Sequence, residues 1–220
     1  MRTDLIRKTA LTAAGIAATA TGIAAPAIAA HATPTTATTV ASVQADRKPT
    51  GERQLDVRYE AQPNFYYCGP AAARNALSVQ GKAISVDAMA KEMRTTENGT
   101  DSINDITPIL NKETGKTNAY RSVEVPTAKA DDKQTNTLRT DIVHTIDQGR
   151  AVVANIAGTS TDTNGTTHAY EGGHYISVVG YTDNGNTVKI ADSANPDHAS
   201  YDITTDNLAD WIATRGYATS

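Results

Sequence analysis

The 220-residue sequence predicts an α+β fold, with a helical first half and an antiparallel second half. Two observations carry this. Between residues 69 and 149, apolar residues recur at helical spacing between capping and stopping signals. Beyond residue 150 the period shortens to that of strands, and Asn184-Gly185 separates two alternating runs as a hairpin turn does. With 39% hydrophobic and 20% charged residues, the composition is globular rather than disordered.

The N-terminus reads as an address. Arg2, Arg7 and Lys8 form a basic start, and an uncharged stretch runs from Thr9 to Ala30. Small residues in the A-x-A spacing of a signal-peptidase site end it, with cleavage expected after Ala29 and a second such site at Ala30-His31-Ala32. Its Ala, Thr and Gly content makes a weak membrane span. Residues 1–29 are therefore expected to be a signal peptide and the protein to be secreted, with no membrane association after cleavage. Removing Arg2, Arg7, Lys8 and Asp4 takes away a net +2, which turns the chain's −4 into −6. Residues 30–51, rich in Ala, Thr and Pro, lack apolar periodicity and read as a flexible leader. Residues 52–220 are one domain by length.

Within that domain, Leu55, Val57 and Tyr59 alternate as in a short strand. Gly69 to Val79 is Ala-rich, with Pro70 in the first helical turn. Ser85 caps a second helix to Met93, and Ser102 to Asp105 opens a third that stops at Gly115. Tyr120 to Val125 suits a strand, and Leu138, Ile142, Val143 and Ile146 mark a fourth helix ended by Gly149. Ala151 to Ile156 is a buried strand, followed by a polar loop over 159–167. The runs His174–Tyr181 and Thr187–Asp192 form the hairpin. Thr205 caps a last helix holding Leu208, Trp211 and Ile212.

Charge and cysteine count exclude several functions. A mildly acidic chain lacks the basic face that a nucleic-acid binder needs. One cysteine cannot build a disulfide framework or a Cys-rich zinc site. Gly115-Lys116-Thr117 lacks the first glycine of a phosphate loop, and Asp183 to Asn186 lacks calcium-loop spacing. Asn98-Gly99-Thr100 and Asn164-Gly165-Thr166 are glycosylation sequons by pattern only. No metal or organic cofactor is indicated. Aromatic residues are unevenly shared, with nine Tyr against one Phe and one Trp.

The lone Cys68 stands where a loop becomes a helix, and the helix dipole with its free N–H groups favours thiolate there. Gly69 is expected to leave space beside the sulfur for a substrate backbone. Buried cysteines usually act as small hydrophobes, but an exported chain that keeps one thiol risks oxidation without a disulfide gain. Of five histidines, His31 lies in the leader, His144 in a helix, and His168 and His198 in polar loops expected at the surface. His174 opens a strand after Gly172-Gly173 and shares a face with Ile176 and Val178, where an imidazole needs polar partners. Asp192 ends the paired strand on the neighbouring position of that face and can orient the ring, with Asn195 as a fallback. Gln62, six residues before the cysteine, can aim an amide N–H at an oxyanion together with the Cys68 N–H.

Gln62, Cys68-Gly69-Pro70, Gly173-His174-Tyr175 and the strand ending at Asp192 resemble papain-fold cysteine peptidases. Within these the pattern is similar to the C39-like group known from bacteriocin-processing peptidases, which includes stand-alone secreted bacterial members. The resemblance spans roughly residues 55–217. It implies a two-lobed fold, with the cysteine on a helix of one lobe and a sheet lobe carrying histidine and aspartate. It also implies Cys68 as nucleophile, His174 as general base and acid, Asp192 as orienter and Gln62 as oxyanion donor, acting on a peptide or protein substrate. The sequence shows neither membrane spans nor an ATPase module, so a preference for paired glycines does not carry over. Tyr66-Tyr67 before the cysteine is bulkier than the pattern leads one to expect. A monomeric peptidase is the leading expectation. An acyl transferase of the same fold, or a secreted binding domain without catalysis, are the alternatives.

Overall fold

The computed structural model describes residues 51–220; the expected signal peptide and all but the last residue of the expected leader, His31 included, lie outside them. The chain forms β1 (Arg53–Gln54), α1 (Cys68–Ser78), α2 (Val86–Met93), α3 (Ile103–Thr114), β2 (Arg121–Glu124) and α4 (Asp132–Asp147). Then come β3 (Val152–Thr161), β4 (Thr167–Thr182), β5 (Thr187–Ala191), β6 (Ser200–Thr204), α5 (Thr205–Ile212) and β7 (Gly216–Thr219). All strand pairs are antiparallel, in the order β2-β7-β3-β4-β5-β6, with β1 added on β4. The expected α+β class is the one observed.

Local chemistry explains the helix limits. Ser85 Oγ accepts from the Ala88 N–H, and Ser102 with Asp105 closes a reciprocal capping box. Gly115 ends α3 in the left-handed region at φ 68°, which an L side chain adopts only with strain. Helix α4 begins well before its first apolar residue, because Asp131 and Gln134 form a second capping box that starts two polar turns. Helix α5 is capped by Thr204 rather than Thr205; the Thr205 hydroxyl donates instead to the Gly185 carbonyl.

Helices α1 to α3 pack on one another, and α1 lies along β4. Ala72, Ala73, Ala76 and Leu77 of α1 join Ile176 and Val178 of β4 in one continuous core. The small alanine side chains let the helix approach the sheet, and the Ser177 hydroxyl donates to the Ala72 carbonyl at 2.7 Å. Consecutive residues Val152 to Ile156 of β3 are all buried, so both faces of the sheet centre are covered.

Two expectations are corrected and two strands are added. Leu55, Val57 and Tyr59 belong to no strand. The paired strand ends at Gln54, with one further bond from the Leu55 N–H to the Val179 carbonyl at 2.8 Å. The chain then turns to α1 side chains, with Arg58 N–H to Ser78 Oγ and Glu60 N–H to Asn75 Oδ1. The polar stretch 159–167 is a turn only over 162–166, because β3 and β4 continue as a ladder to Thr161↔Thr167. Strands β6 and β7, unassigned from the sequence, complete the sheet.

Strand β7 passes close to β2 at Gly216, where an added Cβ would lie 2.6 Å from the Val123 carbonyl oxygen. Gly216→Ala is expected to cost about 1–3 kcal/mol through forced backbone displacement. A urea midpoint equal to that of the wild type would show that the strands can part at no cost.

Candidate active site

Cys68 is the first residue of α1, and its N-cap, Tyr67, offers no side-chain acceptor. Pro70 has no N–H, and the Gly69 N–H points at the Cys68 sulfur. The start of α1 therefore directs donors at the thiol rather than satisfying them with a cap. Cys68 is 8% exposed. Burial pushes its pKa up, but the hydrogen bond and charge of His174, with the N–H groups of Tyr175 and Gly69, outweigh this and bring it below the ordinary thiol value.

His174 lies in β4, opposite Ile156 of β3, and is 4% exposed. Its Nε2 meets Asp192 Oδ1 at 2.7 Å, which leaves Nδ1 for the sulfur. Burial pushes this imidazole down; the bonds and charges of Asp192 and Cys68 more than reverse it and raise the pKa to about 9. Asp192 stands one residue beyond β5 and is 2% exposed. Its Oδ1 also accepts the Ala194 N–H at 3.0 Å, and its Oδ2 accepts the Tyr170 and Tyr201 hydroxyls at 2.9 and 3.1 Å. Burial raises the pKa of this carboxyl, and the donors, His174 foremost, bring it below its usual value.

Gln62 is tied to the residue after Asp192. Its N–H donates to the Ser193 carbonyl at 2.9 Å, and the Ser193 hydroxyl donates to Gln62 Oε1 at 3.0 Å. One amide hydrogen goes to the Asn64 carbonyl, so the orientation of the group is fixed and the second hydrogen stays available.

Beside Cys68 opens a groove of about 340 Å³, walled by Tyr66 and Thr100 on one side and by Gly172, Gly173 and Arg215 on the other. Phe65 stands on its rim and is 81% exposed. Tyr175 crosses beneath, taking a hydrogen bond from Asn155 Nδ2 at 3.0 Å and donating to the Thr100 carbonyl at 3.2 Å.

The structure brings Cys68, His174 and Asp192 together and ties Gln62 to Ser193, the residue after Asp192, while other expectations change. Asn195 caps a short 3-10 turn through the Asp197 N–H, so it is not the carboxylate's understudy. The space at Gly69 is filled by Thr100, whose Oγ1 would lie 2.5 Å from an added Cβ, so this glycine admits a neighbouring loop rather than a substrate. His168 is not a surface residue. It pairs with Asp162 at 3.1 Å and stacks on the Tyr201 ring at 3.9 Å.

Tyr170, Tyr201 and Ser193 are parts of the site that sequence reasoning missed. The tyrosine excess was the available signal, since a buried phenol needs a polar partner where a phenyl ring does not.

A thiol at a helix start, facing an imidazole on an antiparallel sheet, is the frame of the papain-like cysteine peptidases. The chain belongs to the Peptidase_C39 like family, whose model matches residues 54–219. No curated protein matches the chain. Among solved structures, a double glycine motif protease from an AMS/PCAT transporter, in complex with the leader peptide, is 11% identical. It has a TM-score of 0.46 and covers 76% of this chain and 91% of its own. The peptidase domain of Streptococcus ComA, a bi-functional ABC transporter involved in a quorum sensing pathway, is 14% identical. Its TM-score is 0.47, covering 73% of this chain and 96% of its own.

The electrostatics make the thiol testable without substrate. Alkylation of Cys68 by iodoacetamide is expected to be fast at pH 6, where an ordinary thiol is nearly inert. His174→Ala should return the rate to that of an ordinary buried thiol. Equal rates in the two proteins would remove the imidazole from thiol activation.

Proposed function

We propose that this protein is a secreted cysteine peptidase working through Cys68, His174, Asp192 and Gln62. The observation that carries the proposal is the buried imidazole of His174, bonded to the Cys68 thiol on one side and to the Asp192 carboxylate on the other. In the resting site the thiol proton resides on His174, giving a thiolate–imidazolium pair. The sulfur attacks the substrate carbonyl carbon, and the oxygen takes up the charge between the Cys68 N–H and the amide of Gln62. His174 then gives its proton to the leaving amine, the C–N bond breaks and a thioester remains. Water, deprotonated by His174, adds to the thioester and expels the thiolate, which releases the acid product and regenerates the pair. Asp192 holds the ring and its tautomer throughout and stays ionised.

The groove beside the sulfur supports an extended peptide as the substrate. An acyl transferase would share every step up to the thioester, and product analysis with and without an added amine separates it from a hydrolase. Export is part of the proposal, and N-terminal sequencing of the mature protein should find a start at Ala30 or Thr33; a chain beginning at Met1 in the medium would overturn it.

Cys68→Ala should abolish peptide cleavage and leave thermal unfolding near that of the wild type. His174→Ala should lower kcat by several orders of magnitude, and Asp192→Asn by less, because the first loses proton transfer and the second only orientation and charge. The raised imidazole pKa sets the alkaline limb: the pair is intact below it, and the general acid is lost as pH rises through about 9. Residual cleavage by Cys68→Ala would sink the proposal.

A further inference from the structure

From the register of β4 and its aromatic contacts, we infer that Tyr170 is a positioning residue for His174, carried over the imidazole by the Gly172–Gly173 bulge. In a regular strand, residues four apart stand about 13 Å from one another, too far for their rings to touch. Here Ile156 pairs with His174 and Gly158 with Tyr170, so two steps along β3 correspond to four along β4. The surplus residues are taken up between Tyr170 and His174, with Gly173 at φ +94°, a conformation that L side chains rarely adopt. Tyr170 and His174 thereby become next neighbours on one face. Their ring centroids stand 4.0 Å apart at an interplanar angle of 22°, and the Tyr170 hydroxyl donates to Asp192 Oδ2 at 2.9 Å.

One side chain therefore touches both members of the His–Asp pair. The ring covers one face of the imidazole and limits its rotation about the side-chain bonds. Its π face also favours the imidazolium over the neutral form. The hydroxyl holds Asp192 in the plane that serves His174. The arm that carries Tyr170 is itself anchored, with the Trp211 indole N–H donating to the Gly158 carbonyl at 3.0 Å and the Thr163 N–H to the Asp202 carbonyl at 2.8 Å. The groups facing the pair are Cys68 from α1, Tyr170 from β4, Tyr201 from β6 and Tyr59 from the segment before α1. Of these, Tyr170 is the one stacked on the imidazole.

The catalytic meaning rests on the peptidase reading, but the test does not need a substrate. The pH dependence of Cys68 alkylation by iodoacetamide is measured for the wild type, Tyr170→Phe and Tyr170→Leu. Tyr170→Phe keeps the ring and should leave the acid limb within about 0.3 pH unit, whereas Tyr170→Leu should raise it by about one unit. Where a peptide substrate is cleaved, Tyr170→Leu should lower kcat about tenfold with KM nearly unchanged, the pattern of a lost transition-state arrangement. Thermal unfolding is followed in parallel, and should Tyr170→Leu not fold, Tyr170→Gln removes the ring while keeping a hydrogen-bond donor. A ringless variant with the wild-type profile overturns the inference, as does a Tyr170→Phe shift equal to that of Tyr170→Leu. A wild-type protein that cleaves no peptide sinks the peptidase reading, while the alkylation profile still decides the role of Tyr170.

Discussion

A carboxylate that is 2% exposed would be strongly destabilising unless its oxygens were matched by donors, and the arrangement around Asp192 meets that requirement. The donors come from separated parts of the chain: His174 and Tyr170 from β4, Tyr201 from β6, and the Ala194 N–H from the turn after Asp192. The Asp192 N–H meanwhile bonds the Ala199 carbonyl, which closes the turn onto β6. A slip of one residue in any of these strands would bury the charge without its partners. Sheet register and site geometry are thus one constraint. With Nε2 of His174 committed to Asp192, Nδ1 is the nitrogen left to meet the thiol at the start of α1. The alanine-rich contact between α1 and β4 brings that thiol within reach.

How far this could be read in the sequence depended on whether a feature is local. Ser85, Ser102 and Gly115 act on their own helices, so their chemistry shows in short windows. The residues of the site were legible by type and order, since a lone thiol, an imidazole after two glycines and an acid at a strand end each narrow the options. The outer part of the β3–β4 arm was not. Beyond Gly158 its residues are largely polar or partly exposed, and hydrogen bonds from Trp211 and Asn207 hold it rather than an apolar face. No hydrophobic alternation exists there to be seen. The bulge was hidden for a related reason: Gly172-Gly173 looks like the start of a strand until the partner's register shows the strand already running. The clasp between Gln62 and Ser193 joins residues 131 apart, beyond the reach of any local pattern.

The abundance of tyrosine, a compositional oddity at first sight, follows from the kind of donor a working carboxylate can accept. Asp141, away from the site, is bound by both Tyr217 and the cation Arg121. Such pairing satisfies a carboxylate but also neutralises it. Among the described residues Asp192 has no Arg or Lys partner; apart from His174 its donors are two phenols and a backbone N–H. Neutral donors lower the cost of burial and leave the negative charge available to the imidazolium. A guanidinium in the place of Tyr170 or Tyr201 would compete for that charge and lower the proton affinity of His174, weakening the pair with Cys68. Phenylalanine in either place would pack as well but remove one of the two donors to Oδ2. Tyrosine supplies the bulk of one and the donor of the other without a charge, which is what a buried His–Asp pair requires of its surroundings.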